Sequence, residues 1–168
     1  MIVRRAVASD AQTLADIGFR SWESAIQFWE NNVASMRERA LQAYRDFTRE
    51  NWAAITVAEL DGVPVGWGAR EHSDHLISDL WIDPAYQRIG AGNALMEALE
   101  ADIAAAGQAV AMLETHARNH AAIAFYRKRG YEIRWLSTKY SPPLDRDIEK
   151  VGMEKRLDNV PEPADPVA

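Results

Sequence analysis

The sequence contains no cysteine. That removes disulfides, thiolate metal sites and a thiol nucleophile together. No apolar run approaches the roughly 20 residues needed to cross a bilayer. The opening Met1-Ile2-Val3-Arg4-Arg5-Ala6 also lacks the apolar stretch of a secretory signal. The expected location is therefore cytoplasmic, with no membrane partner. Positive charge is short as well: 19 Lys and Arg stand against 25 Asp and Glu, a net charge of −6. Such a balance is a poor basis for holding nucleic acid, and it mildly favours cationic ligands. The four histidines, His72, His75, His116 and His120, show no metal-ligand spacing, so no metal is expected. Low complexity is confined to residues 158–168, DNVPEPADPVA, which hold three prolines and read as a disordered or loosely packed tail.

What remains is the composition of one globular domain, residues 1–157, with 48% apolar and 26% charged residues in the whole chain. A short strand is expected over residues 2–6. Ser9 and Asp10 offer N-cap chemistry for a helix bearing Leu14, Ile17, Phe19 and Trp22. A second helix over residues 34–49 carries Met36, Ala40, Leu41, Tyr44 and Phe47 at helical spacing. After Trp52 the period drops to two. Ile55–Leu60 and Val63–Ala69 flank Asp61-Gly62, a hairpin turn. A third strand, residues 75–82, extends the meander and stops at Asp83-Pro84. Then follow a helix (92–106), a strand (110–114), a helix (119–129) and two strands (131–139 and 148–157) around Ser141-Pro142-Pro143. Three consecutive strands without helices exclude a Rossmann repeat and predict an α+β, three-layer domain with a mixed sheet.

Two stretches carry the chemistry. Gln87-Arg88-Ile89-Gly90-Ala91-Gly92 lies between a strand and a helix. Its glycines permit a tight turn and close ligand approach. The helix start offers unpaired N–H groups and a positive dipole end, suited to a phosphate or pyrophosphate. Taken alone, the same residues are equally well an ordinary turn. No Lys-Ser/Thr follows, so a P-loop is excluded. The second stretch, Asn119 to Tyr131, reads NHAAIAFYRKRGY, with Asn119 and Tyr126 seven residues apart on one helix face.

Together, Gln-x-x-Gly-x-Gly after Leu80-Trp81-Ile82-Asp83-Pro84 and Asn-x-x-Ala-x-x-Phe-Tyr-x-x-x-Gly-Tyr resemble the GCN5-related N-acetyltransferase family. The likeness spans nearly all of residues 1–157, including the helix pair, the Asp-Gly hairpin and the last strand. It implies the topology β-α-α-β-β-β-α-β-α-β-β, with a mostly antiparallel sheet, and acetyl-CoA as acetyl donor. By the same likeness, the backbones of Leu80, Trp81 and Ile82 pair with the pantetheine arm. Gln87, Arg88, Ile89, Gly90, Ala91, Gly92 and Asn93 hold the pyrophosphate, and Asn119 reaches the pantetheine. Tyr126 takes the position of the acid that protonates the departing thiolate. One departure stands out: a second basic residue is often found where this chain has Ile89, leaving Arg88 as the only cation in the loop.

The base is expected among Asp79, then Glu114, then Glu71, with His72 or His75 as further candidates. Strand alternation puts Ile77, Asp79 and Trp81 on one face, barring a bulge. Trp22, Phe28 and Trp29 read first as ordinary core or dimer packing and second as candidate walls of an acceptor site; the Ser141-Pro142-Pro143-Leu144 loop is a second candidate wall. The expected acceptor is a small-molecule amine. A protein or peptide amine is the alternative, and a non-catalytic acyl-CoA sensor a third reading. Six tryptophans in 168 residues favour a homodimer.

Overall fold

In the computed structural model of the chain, residues 1–28, 30–31, 33–141 and 144–157 are described. Strand β1 (Ile2–Arg5) leads through a short 3-10 turn into α1 (Ala11–Ile26), and α2 (Arg37–Asn51) follows. Asp10 does not cap α1 in the expected way. Its carboxylate reaches back to the Val7 N–H at 2.8 Å and takes Arg4 in a pair at 2.7 Å. Arg4 also pairs with Glu59 at 2.7 Å, which ties β1 to its neighbour.

Strands β2 (Ile55–Leu60) and β3 (Val63–Ala69) form the anticipated hairpin. Asp61 and Gly62 both take positive φ, 52° and 83°, the geometry that a two-residue turn matched to strand twist requires. The third strand is broken. Leu76–Ile77 (β4) and Asp79–Ile82 (β5) are separated at Ser78 and join different sheets. One sheet has the order β1-β2-β3-β5. The other is β4-β6-β8-β7, built from β6 (Val110–His116), β7 (Glu132–Ser141) and β8 (Arg146–Arg156). Helix α3 (Ala91–Ala105) lies between β5 and β6, and α4 (His120–Lys128) between β6 and β7. The element order is the one expected, with its third strand split in two.

Apolar stripes place the layers. Leu14 and Ile17 of α1 pack on Ile55, Val57 and Trp67, with Tyr44 and Phe47 of α2 beside them. The buried Trp67 indole donates to the Leu14 carbonyl at 2.8 Å, so its N–H is not stranded. On the opposite face Met96, Leu99 and Ile103 of α3 join Ile123 and Tyr126 of α4 over Ala111, Leu113, Val151 and Met153. Each large apolar side chain of this kind contributes about 2 kcal/mol when fully buried. Helix α3 sits close on the first sheet because β3 carries glycine there: a Cβ at Gly68 would stand 2.8 Å from Leu99 Cδ1. That contact sets how closely the middle of α3 lies on β3.

Candidate active site

The break at Ser78 is a bulge. Ala69 is the ladder partner of Asp79, yet its carbonyl also accepts from the Ser78 N–H at 2.9 Å, so two residues oppose one. Above the bulge, Leu76 and Ile77 pair in parallel with Met112 and Leu113 of β6. Below it, β5 pairs only with β3, and no ladder joins β5 to β6 among the described residues. The two sheets therefore part at this point and leave a fork.

The bulge corrects the expected alternation. Ile77 lies in the α3–α4 core, whereas Trp81 packs towards α1 and α2 beside Tyr44. Asp79 accepts a hydrogen bond from Trp81 Nε1 at 2.9 Å and shares that face. The extra residue turns the strand over. The fork also refines the expected backbone contacts. Asp83 donates its N–H to the Val65 carbonyl, and this sets the phase of the β3–β5 ladder. Antiparallel residues alternate in direction, so Trp81 faces β3, while Leu80 and Ile82 turn their N–H and C=O groups into the fork. Trp81 therefore drops out of the three backbones expected to pair there.

At the foot of the fork the chain turns through Gln87, Arg88 and Ile89, all exposed, into α3. Arg88 and Gly90 have positive φ, 65° and 93°. A glycine bears this without strain, whereas Arg88 bears it at a cost. Gly90 is the N-cap, and the N–H groups from Ala91 onward open the helix. Gly92 lets α4 close in: its Cβ would stand 3.3 Å from Phe125 Cζ. A backbone turn rich in N–H groups, a helix start and an unpaired strand edge fit a ligand with a phosphate group and an amide-bearing arm.

Tyr126 is buried in α4, with Phe125 and Tyr131 packed edge-on at 5.3 and 5.9 Å between ring centroids. Burial, and next the charge of Asp79, push its pKa up, so the phenol keeps its proton. Burial likewise raises Asp79 above the usual carboxylate range, against the hydrogen bonds from Trp81 and Ser78 and the charges of Lys150 and His72. Tyr44 feels the same two influences, burial first and Asp79 second. The charge of Lys150 acts on Asp79, and that of Asp79 on Tyr44 and Tyr126, so electrostatic influences from four elements meet at this carboxyl group. The sequence carried no signal for Tyr44 or Lys150, whose spacing reads only as helix and strand.

The other sequence candidates separate. Burial raises Glu71 too, but its carboxylate pairs with the exposed His72 at 2.8 Å at the end of β3. Glu114 accepts from Trp135 Nε1 at 3.0 Å, Ser137 Oγ at 3.2 Å and Lys139 Nζ. Although burial works the other way, these donors hold its pKa below the ordinary value, the reverse of what a base needs. Asn119 spends its Oδ1 on the Ala122 N–H at 3.1 Å as the N-cap of α4. Trp22 is not an open wall: it is buried with Ile26, Ala40 and Leu144. Phe28 is 81% exposed, and Trp29, Pro142, Pro143 and the tail from residue 158 lie outside the described residues. Leu144, too, belongs to the core instead of a free loop. No cluster of three metal-ligating side chains occurs among the described residues.

The sequence and the fold both have counterparts among known proteins. The model of the acetyltransferase (GNAT) family matches residues 17–131. The ribosomal protein bS18 alanine N-acetyltransferase of Escherichia coli (strain K12) is 41% identical over 64 residues. The match takes in 38% of this chain and 43% of that protein, so the chain spans under half the length of the curated relatives it matches. A GCN5-related N-acetyltransferase from Rhodopseudomonas palustris superposes with a TM-score of 0.78 at 25% identity, covering 93% of this chain and 95% of that one. The PaiA N-acetyltransferase of Thermoplasma acidophilum, solved in complex with coenzyme A, shares the fold with a TM-score of 0.67 at 16% identity, covering 93% and 98%.

Proposed function

Since the chain belongs to the acetyltransferase (GNAT) family, we propose that it moves an acetyl group directly from acetyl-CoA to a primary amine. The observation that carries this reading is the fork between β5 and β6, with Asp79 and Tyr126 beside it. Acetyl-CoA supplies the thioester, and the acetyl group leaves its sulfur for the amine nitrogen.

The chain's own groups have distinct parts. Leu80 and Ile82 present backbone donors and acceptors to the amide-bearing arm, and residues 87–93 face the pyrophosphate. Asp79 accepts the proton that the attacking amine must lose, either directly or through one water. A carboxylate raised by burial is a better base than an exposed one. Tyr126 gives its hydroxyl proton to the sulfur as the carbon–sulfur bond breaks. Burial disfavours a thiolate as much as a phenolate, so the sulfur is a stronger base here than in water. With no cysteine in the chain, no acyl-cysteine intermediate can intervene.

For the acceptor we propose a small amine. The α1–α2 side and the β7–β8 hairpin are tied together by Arg146 with Glu30 and by Arg39 with Asp145, with Leu144 buried between them. This favours a compact group over a lysine in the middle of a folded chain. The N-terminal amine of a peptide is the second reading, supported by the name of the Escherichia coli relative.

Thiol release from acetyl-CoA against polyamines, amino acids, aminoglycosides and an alanine-first peptide tests the proposal. Turnover with a small amine supports it, and turnover with the peptide alone selects the second reading. Tight binding of acetyl-CoA without transfer to any acceptor would favour a sensor, and no binding would end the proposal.

A further inference from the structure

Arg127, Lys128 and Arg129 follow one another at the end of α4, but they do not behave alike. Arg127 and Lys128 are exposed, whereas the Arg129 side chain is only 12% exposed. Its Nη1 donates to Asn93 Oδ1 at 3.0 Å and its Nη2 to Glu100 Oε2 at 3.2 Å. Glu100 also accepts from the Tyr131 hydroxyl at 3.2 Å and from Lys155 Nζ at 2.8 Å. The arrangement leaves Arg129 Nε buried with no hydrogen-bond partner.

Asn93 stands in the first turn of α3, two residues after Ala91, and is exposed. A carboxamide has one accepting end and one donating end, and a guanidinium only donates. The contact with Arg129 therefore commits the Asn93 oxygen inward and turns its NH2 group outward, on the turn whose backbone N–H groups open towards the phosphate site. The reversed amide would present an oxygen to an anion.

We propose that Arg129 is a positioning residue that fixes the Asn93 amide with its nitrogen towards the pyrophosphate of the acetyl donor, making the Asn93 side chain a donor to it. The inference rests on the acetyl-CoA reading given above. The charge of Arg129 is itself paired with the Glu100 carboxylate, so it acts on the loop through the Asn93 amide.

Calorimetric titration of coenzyme A into the full chain tests this without reference to turnover. Asn93→Ala and Arg129→Met are each expected to weaken binding by about tenfold, the loss of one charge-supported hydrogen bond. The double variant is expected to be no weaker than the worse single one, because Arg129 acts through Asn93. Asn93→Asp keeps an acceptor for Arg129 but puts an oxygen where the NH2 stood, and it should weaken binding more than Asn93→Ala does. Wild-type binding by Asn93→Ala would overturn the inference, and so would an Arg129→Met loss that persists in full when Asn93 is already alanine. In either case tight wild-type binding leaves the acetyl-CoA reading standing; wild-type protein that takes up no coenzyme A removes both.

Discussion

The indole N–H of Trp81 donates to Asp79 Oδ1 at 2.9 Å, two residues along the same strand. The same ring meets Tyr44 edge-on, 5.4 Å between centroids. A carboxylate at the mouth of the fork is thus held from its own strand, and the bulge at Ser78 puts both residues on the α1–α2 face. This placement supports the proposal that Asp79, of the three carboxylates, takes the proton.

Asp79→Asn is expected to lower kcat by about a hundredfold or more, the usual contribution of a positioned base. The acid limb of the pH–rate profile should vanish with it. Stability should move the other way. Folding raises the Asp79 pKa above the about 3.9 of a free aspartate, so the folded chain binds that proton more tightly than the unfolded one. The associated stability is present at low pH and is lost as pH rises through the folded pKa. At pH 7 the variant is expected to melt no lower than the wild type, as thermal unfolding would record.

Tyr126→Phe preserves the ring contacts with Phe125 and Tyr131 and removes only the hydroxyl. Turnover is expected to fall by about a hundredfold, while the dissociation constant for coenzyme A changes less than about twofold. An unchanged kcat would remove Tyr126 from the role of acid.

Glu114→Gln tests the rejected carboxylate. Its lowered pKa contributes stability above the unfolded value, and that stability is lost as pH falls through the folded one. The variant is expected to lose about 1–2 kcal/mol at pH 7 through its weakened bonds to Lys139, Trp135 and Ser137, with a difference that shrinks in acid. Its pH–rate profile should keep the acid limb. Loss of that limb would transfer the base to Glu114.

The sequence made some of this legible and hid the rest for identifiable reasons. Asp61-Gly62 announces its hairpin because two successive positive φ values restrict the residues allowed there. The loop before α3 and the Tyr126 helix were readable because they are contiguous motifs. The bulge at Ser78 was not: Leu76, Ile77, Leu80, Trp81 and Ile82 are apolar on both faces, so there is no alternation for an extra residue to interrupt, yet it reverses the face of Ile77 relative to Asp79. Trp22 reads as core packing or as an acceptor-site wall, and only long-range packing against Leu144 decides for the core. Arg129 reads as the third member of a basic run, and only the packing of α4 on α3 turns it inward to Asn93.

Ile89 is 47% exposed at the turn, so a longer cation there should cost the fold little. Ile89→Arg is expected to tighten coenzyme A binding by about three- to tenfold at low salt, with the gain shrinking as ionic strength rises. Calorimetry at two salt concentrations measures both.

If the acetyl donor completes the parted sheets, amide hydrogen exchange resolved by residue will register it along β5. Without ligand, the Leu80 and Ile82 amides are expected to exchange quickly while the Trp81 amide, bonded to β3, is protected. Saturating coenzyme A should slow Leu80 and Ile82 and leave Trp81 as it was. Unchanged exchange at Leu80 and Ile82, with protection appearing elsewhere in a chain that binds coenzyme A, would mean that the donor does not pair with β5.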